Sequence, residues 1–462
     1  MWSHQMLHSA IVALEGWSRV AAEVDAAVDR GMPDLFAALA IPSVSHNAEA
    51  LRQSAHFLTD LFERDGWSVE QVSVGGNLIL LAEIGSGPHS LVVYGHHDVQ
   101  PVEPLDAWTS PPFEPVIRDG RIYGRGSADN KGQFFCHIFA VRALRHVLGE
   151  VPVRVKLVLD GQEEAGSPHL ADFVDSRREA LEGAVLCFTA DGPTRQEGRP
   201  EVVFGVRGVL KIAIRVRTAN TDLHSGNWGN IVPSAAWRLA HILSQLKGSD
   251  GRVTVPGFYD HVVPPNQLER QAMADFGYDV AEAGRSVGAV RLDGPADVPA
   301  LERLMFMPAL TVNGLEGGHR ENNVIPCEAT AFIDVRLVAN QDPEWMFGLL
   351  RRHLHEIAPD ATLERPGGEW YLPSRTPLDL PLAAHVVDAV RVGFGSEPLL
   401  VPSSGGTLPD AIFARRLGIP ALDVPYAGRD QRNHAPNENM RLDHLHAGSR
   451  TSAALFLSLA ER

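Results

Sequence analysis

Apolar runs of strand length alternate with amphipathic, helix-length segments through the first half of the chain. The runs "NLILLAEI" (77–84), "SLVVYG" (90–95), "VRVKLVLDG" (153–161) and "AVLCFTADG" (184–192) are apolar enough for strands covered on both faces. Between them, "FFCHIFAVRALRHVL" (134–148) and "PHLADFVDSRREAL" (168–181) carry helical spacing. This order predicts an α/β fold, a mostly parallel sheet with helices on both faces. The style returns near the chain's end: a helix near 382–393, then "EPLLVPSSGG" (397–406), a helix near 408–417, "IPALDVPYAG" (419–428), and a last helix from about 441.

The middle reads differently. "GVLKIAIRVRT" (208–218) alternates as a half-exposed strand does. A helix at about 233–246 follows, then strands at 308–317 and 328–338, a helix near 343–357 and a short strand near 361–365. That is the split β-α-β-β-α-β order of an α+β unit. The stretch 250–307 is an extra, partly helical elaboration. The expectation is a discontinuous domain of 1–205 and 369–462, interrupted by an inserted domain at 206–368.

With 462 residues the chain exceeds what one core usually holds, in keeping with two domains. A formal net charge of −16 argues against nucleic acid and anionic membrane surfaces as partners. Cys136, Cys187 and Cys327 are far apart and form no CxxC pair, so a reduced, cytoplasmic chain is expected. The opening "MWSHQMLHSAIVALEGW" lacks a basic leader and a continuous apolar core, and reads as a helix rather than a signal peptide. No apolar run reaches the roughly 18 residues of a membrane span.

Open α/β sheets bind ligands beyond the carboxyl ends of their strands. His96, His97 and Asp98 follow the strand "LVVYG"; Glu163 and Glu164 follow "VKLVLDGQ"; Asp191 follows "AVLCFTA". His434 lies just after "IPALDVPYAG", and Asp129 stands in "RGSADNKG" at an expected helix start. Taken singly, each has an ordinary reading: a surface turn, a solvated acidic loop, a helix cap. Taken together, they bring carboxylates and imidazoles to one sheet rim. Carboxylates in one cleft repel and are costly to desolvate unless cations neutralise them. Histidines and carboxylates without a nearby thiolate suit Zn²⁺ or Mn²⁺, with Co²⁺ also possible. They come from five points of the chain, and with one ligand from each, one carboxylate has to bridge two ions.

The ordered segments "YGHHDVQP", "RGSADNKG", "DGQEEAGSP", "TADGP" and "HAPNENM" resemble the carnosinase/aminoacylase-type family of di-metal peptidases. "DAWTSPPFEPVIRDGRIYGRG" (106–126) is similar to that family's cytosolic non-specific dipeptidase branch. The resemblance spans nearly the whole chain. It implies a zinc-peptidase-like catalytic domain and an inserted lid that makes a homodimer. It implies His96, Asp129, Glu164, Asp191 and His434 as ligands of two divalent metal ions, with Asp129 bridging. Asp98 then orients His96, Glu163 is the general base, and His97 packs nearby without ligating. A cis peptide at Asp129–Asn130 is also implied.

From the insert, the resemblance implies that His224 polarises the scissile carbonyl. Arg336, Asn323, Gly406 and Thr407 then grip a substrate carboxylate; Asn323 stands where some relatives carry threonine. The reaction implied is hydrolysis of an amide next to a free C-terminal carboxylate, by a bridging metal-bound hydroxide with Glu163 as base. Dipeptides are the first expectation, which makes the protein a dipeptidase, a carboxypeptidase-like metallopeptidase. N-acyl amino acid deacylation or desuccinylation at the same site is the alternative. A non-catalytic peptide-binding paralogue is more remote, because the ligand set and base are complete.

Overall fold

A computed structural model describes residues 16–196, 198–277, 279–318, 323–367 and 370–460. The opening segment read as a helix lies mostly outside them. The chain divides into two compact units, one of residues 1–205, 376–402 and 409–462, the other of 206–375 and 403–408.

The first unit is built on an eight-stranded sheet. Its order is Ser68–Val74, Asn77–Ile84, Arg154–Asp160, Ser90–His96, Ala184–Thr189, Ala421–Asp423, Glu201–Val203 and Leu399–Val401. The central strands Arg154–Asp160, Ser90–His96, Ala184–Thr189 and Ala421–Asp423 run parallel; the first two strands and the Ala421–Asp423/Glu201–Val203 contact are antiparallel. The strand Ser90–His96 is buried along its whole length. Its alternate residues serve opposite faces. Leu91 and Val93 join a core with the helices Trp17–Leu39, Lys131–Leu148, Pro381–Phe394 and Leu442–Ser458. Val92 and Tyr94 join a second core with Leu170, Phe173 and Phe413. This is the covered, mostly parallel α/β sheet that the apolar runs predict.

Helix Pro381–Phe394 meets helix Leu442–Ser458 at Gly393, where backbones come close. A Cβ there lies 2.1 Å from Thr451 Oγ1 and 2.5 Å from Thr451 N. Gly393→Ala gains up to about 1 kcal/mol of helix propensity. Overpacking against backbone costs about 1–3 kcal/mol, so the loss wins. The expected result is a lower melting temperature; an unchanged or higher one refutes the close-contact reading.

The second unit has a four-stranded antiparallel sheet in the order Ala309–Glu316, Glu328–Leu337, Gly208–Arg217, Ala361–Glu364. Helices Ala235–Leu246 and Pro343–Ile357 share its core through Leu239, Ile242, Met346 and Leu350. Between helix Ala235–Leu246 and strand Ala309–Glu316 lie the short helices Gln267–Asp275, Val280–Ser286 and Ala300–Phe306.

Two boundaries differ from expectation. The second unit runs on to Arg375, because Tyr371 exchanges both backbone hydrogen bonds with Val209 (3.0 Å each) and Ser374 N donates to Val206 O (3.0 Å). The loop Ser403–Leu408, expected with the chain ends, also belongs to it, held by Arg207. Among the described residues no helix is long and apolar enough to cross a membrane.

Candidate metal centre

The carboxyl ends of the parallel strands assemble the expected residues. Strand Ser90–His96 ends on His96, buried, and its chain continues to buried His97 and Asp98. Strand Arg154–Asp160 leads into a 3₁₀ turn, Glu163–Ala165, that opens on Glu163 and Glu164. Strand Ala184–Thr189 leads to Asp191. Asp129 immediately precedes Asn130, the first residue before helix Lys131–Leu148, and the Asp129–Asn130 peptide is cis.

Asp129 sits at the centre. His96 Nε2 lies 3.2 Å from its Oδ1, and His434 Nε2 lies 3.1 Å from its Oδ2. Asp191 Oδ2 is 3.6 Å from His96 Nε2, and Glu164 Oε2 is 3.3 Å from His434 Nε2. Donor atoms thus gather into two groups, His96–Asp129–Asp191 and Asp129–Glu164–His434, sharing one aspartate. Glu163 Oε2 stands 3.9 Å from His96 Nε2, beside the groups.

Asp98 aligns several of these residues at once. Its Oδ1 is 3.2 Å from His96 Nδ1, which leaves Nε2 to face the cluster. The same carboxylate accepts the backbone N–H of Glu163 on Oδ1 and of Glu164 on Oδ2, each at 3.1 Å. One buried anion therefore orients an imidazole and pins the turn bearing both glutamates. His97 turns away, its Nε2 3.1 Å from Leu78 O.

The electrostatics are those of an anionic site under strain. Burial, with Asp191 and Glu164 nearby, pushes the Glu163 carboxyl well above its ordinary range against the pull of His96. Burial, Asp129 and Asp98 push Glu164 up to about 9. Although burial opposes it, Asp129, Asp191 and Asp98 raise His96 well above the usual imidazole value. Protons thus stand where cations are wanted. Glu164 Oε1 is buried without a hydrogen-bond partner, an acceptor with nothing to accept. An oxygen- and imidazole-rich donor set with an orphaned carboxylate oxygen fits hard or borderline divalent cations.

Stability should therefore depend on pH. An unfolded glutamate releases its proton near 4.5, whereas folded Glu164 keeps it to about 9. Between these values the folded state holds more protons, so this group's stabilising contribution is full below 4.5 and is lost as pH rises to about 9. Relative to Glu164→Gln, the metal-free protein is expected to lose stability on the order of a few kcal/mol from pH 5 to 9. Divalent cations reverse the trend, since their binding displaces protons. Parallel denaturation curves for the two proteins across that range refute it.

Two residues escape the sequence reading although the quoted motifs contain them. Glu438, fully buried, accepts N–H groups from Ala128 and Asp129 on Oε1 (2.9 Å each) and from Gly126 on Oε2 (3.1 Å). Arg125 Nη1 donates to the same Oε2 at 2.7 Å. Glu438 is thus the anchor of the segment that carries Asp129. A glutamate followed by "NM" gives no local sign of this, because its partners are more than 300 residues away.

In the second unit, His224 ends the short strand Leu223–His224, which pairs with Val324–Ile325, and is exposed. Asn323 joins it through the backbone, its O accepting from Ser225 N (2.8 Å) and Ser225 Oγ (3.1 Å). Arg336 Nη1 donates to Thr407 Oγ1 at 2.9 Å. Gly406 is exposed in the same loop.

A covered α/β sheet whose strand ends carry two acid–imidazole groups joined by one aspartate has the makeup of a metal-dependent hydrolase. The chain belongs to peptidase family M20/M25/M40, whose sequence profile matches residues 92–458. It is 30% identical over 398 residues to the human Beta-Ala-His dipeptidase, covering 83% of this chain and 78% of that protein. It is 26% identical to the Cys-Gly metallodipeptidase dug1 of Schizosaccharomyces pombe, covering 92% and 94%. Among solved structures, the M20 family metallo-carboxypeptidase Sso-CP2 from Sulfolobus solfataricus superposes with a TM-score of 0.83 at 31% identity, over 93% of this chain and 98% of that one. The family resemblance drawn from the motifs therefore holds, and the protein is a peptidase.

Proposed function

We propose that the protein is a dipeptidase that hydrolyses the amide bond of small peptides with a free C-terminal carboxylate. The observation that carries this reading is the pair of donor groups sharing Asp129, with Glu163 beside them and outside both. The similarity to dipeptidases over most of the chain supports the substrate class.

His96, Asp129 and Asp191 would hold one divalent ion, and Asp129, Glu164 and His434 the other, Zn²⁺ or Mn²⁺ by donor type. Bound there, such ions supply Lewis acidity to a carbonyl and lower the pKa of water. Glu163 takes the proton from the attacking water and returns it to the leaving amine. Asp98 keeps His96 and the Glu163–Glu164 turn in register for this. From the second unit, His224 polarises the carbonyl, and Arg336 with Asn323, Gly406 and Thr407 recognises the carboxylate. An arginine fork suits a carboxylate better than a lysine point charge.

We also place the protein in the cytoplasm, supported by three unpaired cysteines. A homodimer through the inserted unit is supported by its exposed Trp237, Ile231 and Leu315, at 70%, 68% and 64% exposure. Sedimentation should show a dimer that Trp237→Glu weakens; a wild-type monomer at working concentration refutes it.

The test of function is amine release from unblocked dipeptides and from N-acyl amino acids, with metal-stripped protein and with Mn²⁺ or Zn²⁺ restored. Metal-dependent release from dipeptides supports the proposal. Release from acylated substrates alone replaces it with deacylation, and binding without turnover of either replaces it with a peptide-binding role.

A further inference from the structure

Arg207 has no part in the proposed reaction, yet it is bound to the loop that carries Thr407 by every polar group it offers from its backbone. Its N–H donates to Gly406 O at 3.1 Å. Its carbonyl accepts from Thr407 Oγ1 at 2.7 Å. Its side chain adds a two-pronged contact, Nε and Nη2 both donating to Gly405 O, at 3.1 and 3.0 Å. All of these groups lie within the second unit.

The direction of the hydroxyl bond matters. Thr407 has a single hydroxyl proton, and the 2.7 Å contact commits it to a carbonyl, which can only accept. Its oxygen is then an acceptor for Arg336 Nη1 at 2.9 Å. The chain of donation runs Arg336 to Thr407 to Arg207. Thr407 so committed has no proton for a substrate carboxylate, so its part in the proposed carboxylate recognition is to aim the Arg336 fork.

Charge supports the same arrangement. Among the described residues no carboxylate lies within ion-pair distance of the Arg207 guanidinium. Burial and the neighbouring Arg336 push it down to about 10, so it stays cationic at neutral pH. Arg336 Nη2 lies 3.9 Å from Asp334 Oδ2, so one carboxylate faces two guanidinium charges attached to one short loop, and a further anion lowers their mutual repulsion.

We infer that Arg207 is a positioning residue for carboxylate recognition: it clamps the loop 405–407 so that Thr407 orients Arg336. The inference rests on the proposed carboxylate role of Arg336 and extends it.

The experiment compares a neutral dipeptide with its C-terminal amide, the amide being read as a competitor through its Ki where turnover is too slow. Arg207→Gln should raise KM for the free acid by about 10-fold or more and leave kcat within about 3-fold. The amide's constant should move by less than about 3-fold. Thr407→Val should behave alike, and Thr407→Ser, which keeps the hydroxyl, should restore the wild-type KM. Arg207→Lys, which keeps charge without the fork, should fall between. Equal losses on acid and amide, or no loss on either, overturn the inference. If Arg207→Gln does not fold, the Thr407 pair carries the test alone. Arg336→Ala separates the two levels. If it too affects acid and amide alike, the carboxylate role itself fails. If it is selective for the acid while the Arg207 and Thr407→Val variants are not, only the positioning inference falls.

Discussion

Glu163→Gln is expected to lower kcat by about 10²- to 10⁴-fold, the usual worth of a positioned general base. The substitution keeps the shape of the side chain and removes its ability to take a proton. Because Glu163 stands outside both donor groups, metal content should stay at the wild-type level. Fold should be preserved as well, since the turn is held by the backbone N–H groups of Glu163 and Glu164 on Asp98, which the change leaves alone. Metal analysis alongside steady-state kinetics checks this. Near-normal turnover with metals bound removes Glu163 from the reaction. Lost turnover together with lost metal makes it a ligand instead of a base.

The second large effect belongs to Asp129→Ala. Its two oxygens face two imidazoles, 3.2 and 3.1 Å away, so the change strips one donor from each group at once. Two donors remain in each, too few to hold a divalent ion against water. Metal affinity should fall by more than the roughly 10- to 100-fold typical of losing a ligand's supporting partner. Turnover should vanish with it. His434→Ala provides the contrast, since it touches only the Asp129–Glu164–His434 group and its side chain is 53% exposed. It should leave about half the metal. Full metal content in Asp129→Ala refutes a shared ligand, and equal metal loss in the two variants refutes the independence of the groups.

Glu438→Gln belongs between these cases. It keeps the side chain's volume but loses the charge that answers Arg125, and one of its polar ends becomes a donor facing N–H groups. Weakened metal binding with every ligand still present would trace the effect to the Asp129 segment rather than to the ligands.

Much of the site is legible along the chain because its signals are local. Where a run of apolar residues ends, the next few residues stand at the rim of the sheet. His96, Glu163, Glu164 and Asp191 all obey that rule, and their side-chain types state the chemistry. Asp129 is recognisable from its place before a helix. The second unit's sheet also shows in the pattern, since the alternation in 208–218 marks a strand with one face partly exposed, at Lys211, Arg215 and Arg217.

The pattern leaves pairing at a distance open. No periodicity relates Glu438 to the backbone of Ala128 and Asp129, or shows that Asp98 serves His96 and two glutamates together. The same holds for Arg207, whose hold on residues 405–407 moves that loop from the chain-end unit to the inserted one. Strand and helix period, and the chemistry at strand ends, depend on each residue's near neighbours. Which buried carboxylate receives which N–H is decided only when separate segments pack. A buried polar group must then find a partner among whatever backbone and side chains the fold brings beside it. The sheet, the insert and the donor residues are therefore written in the order of residues along the chain. Packing alone decides how those donors divide into two groups around Asp129, and which residues hold them there.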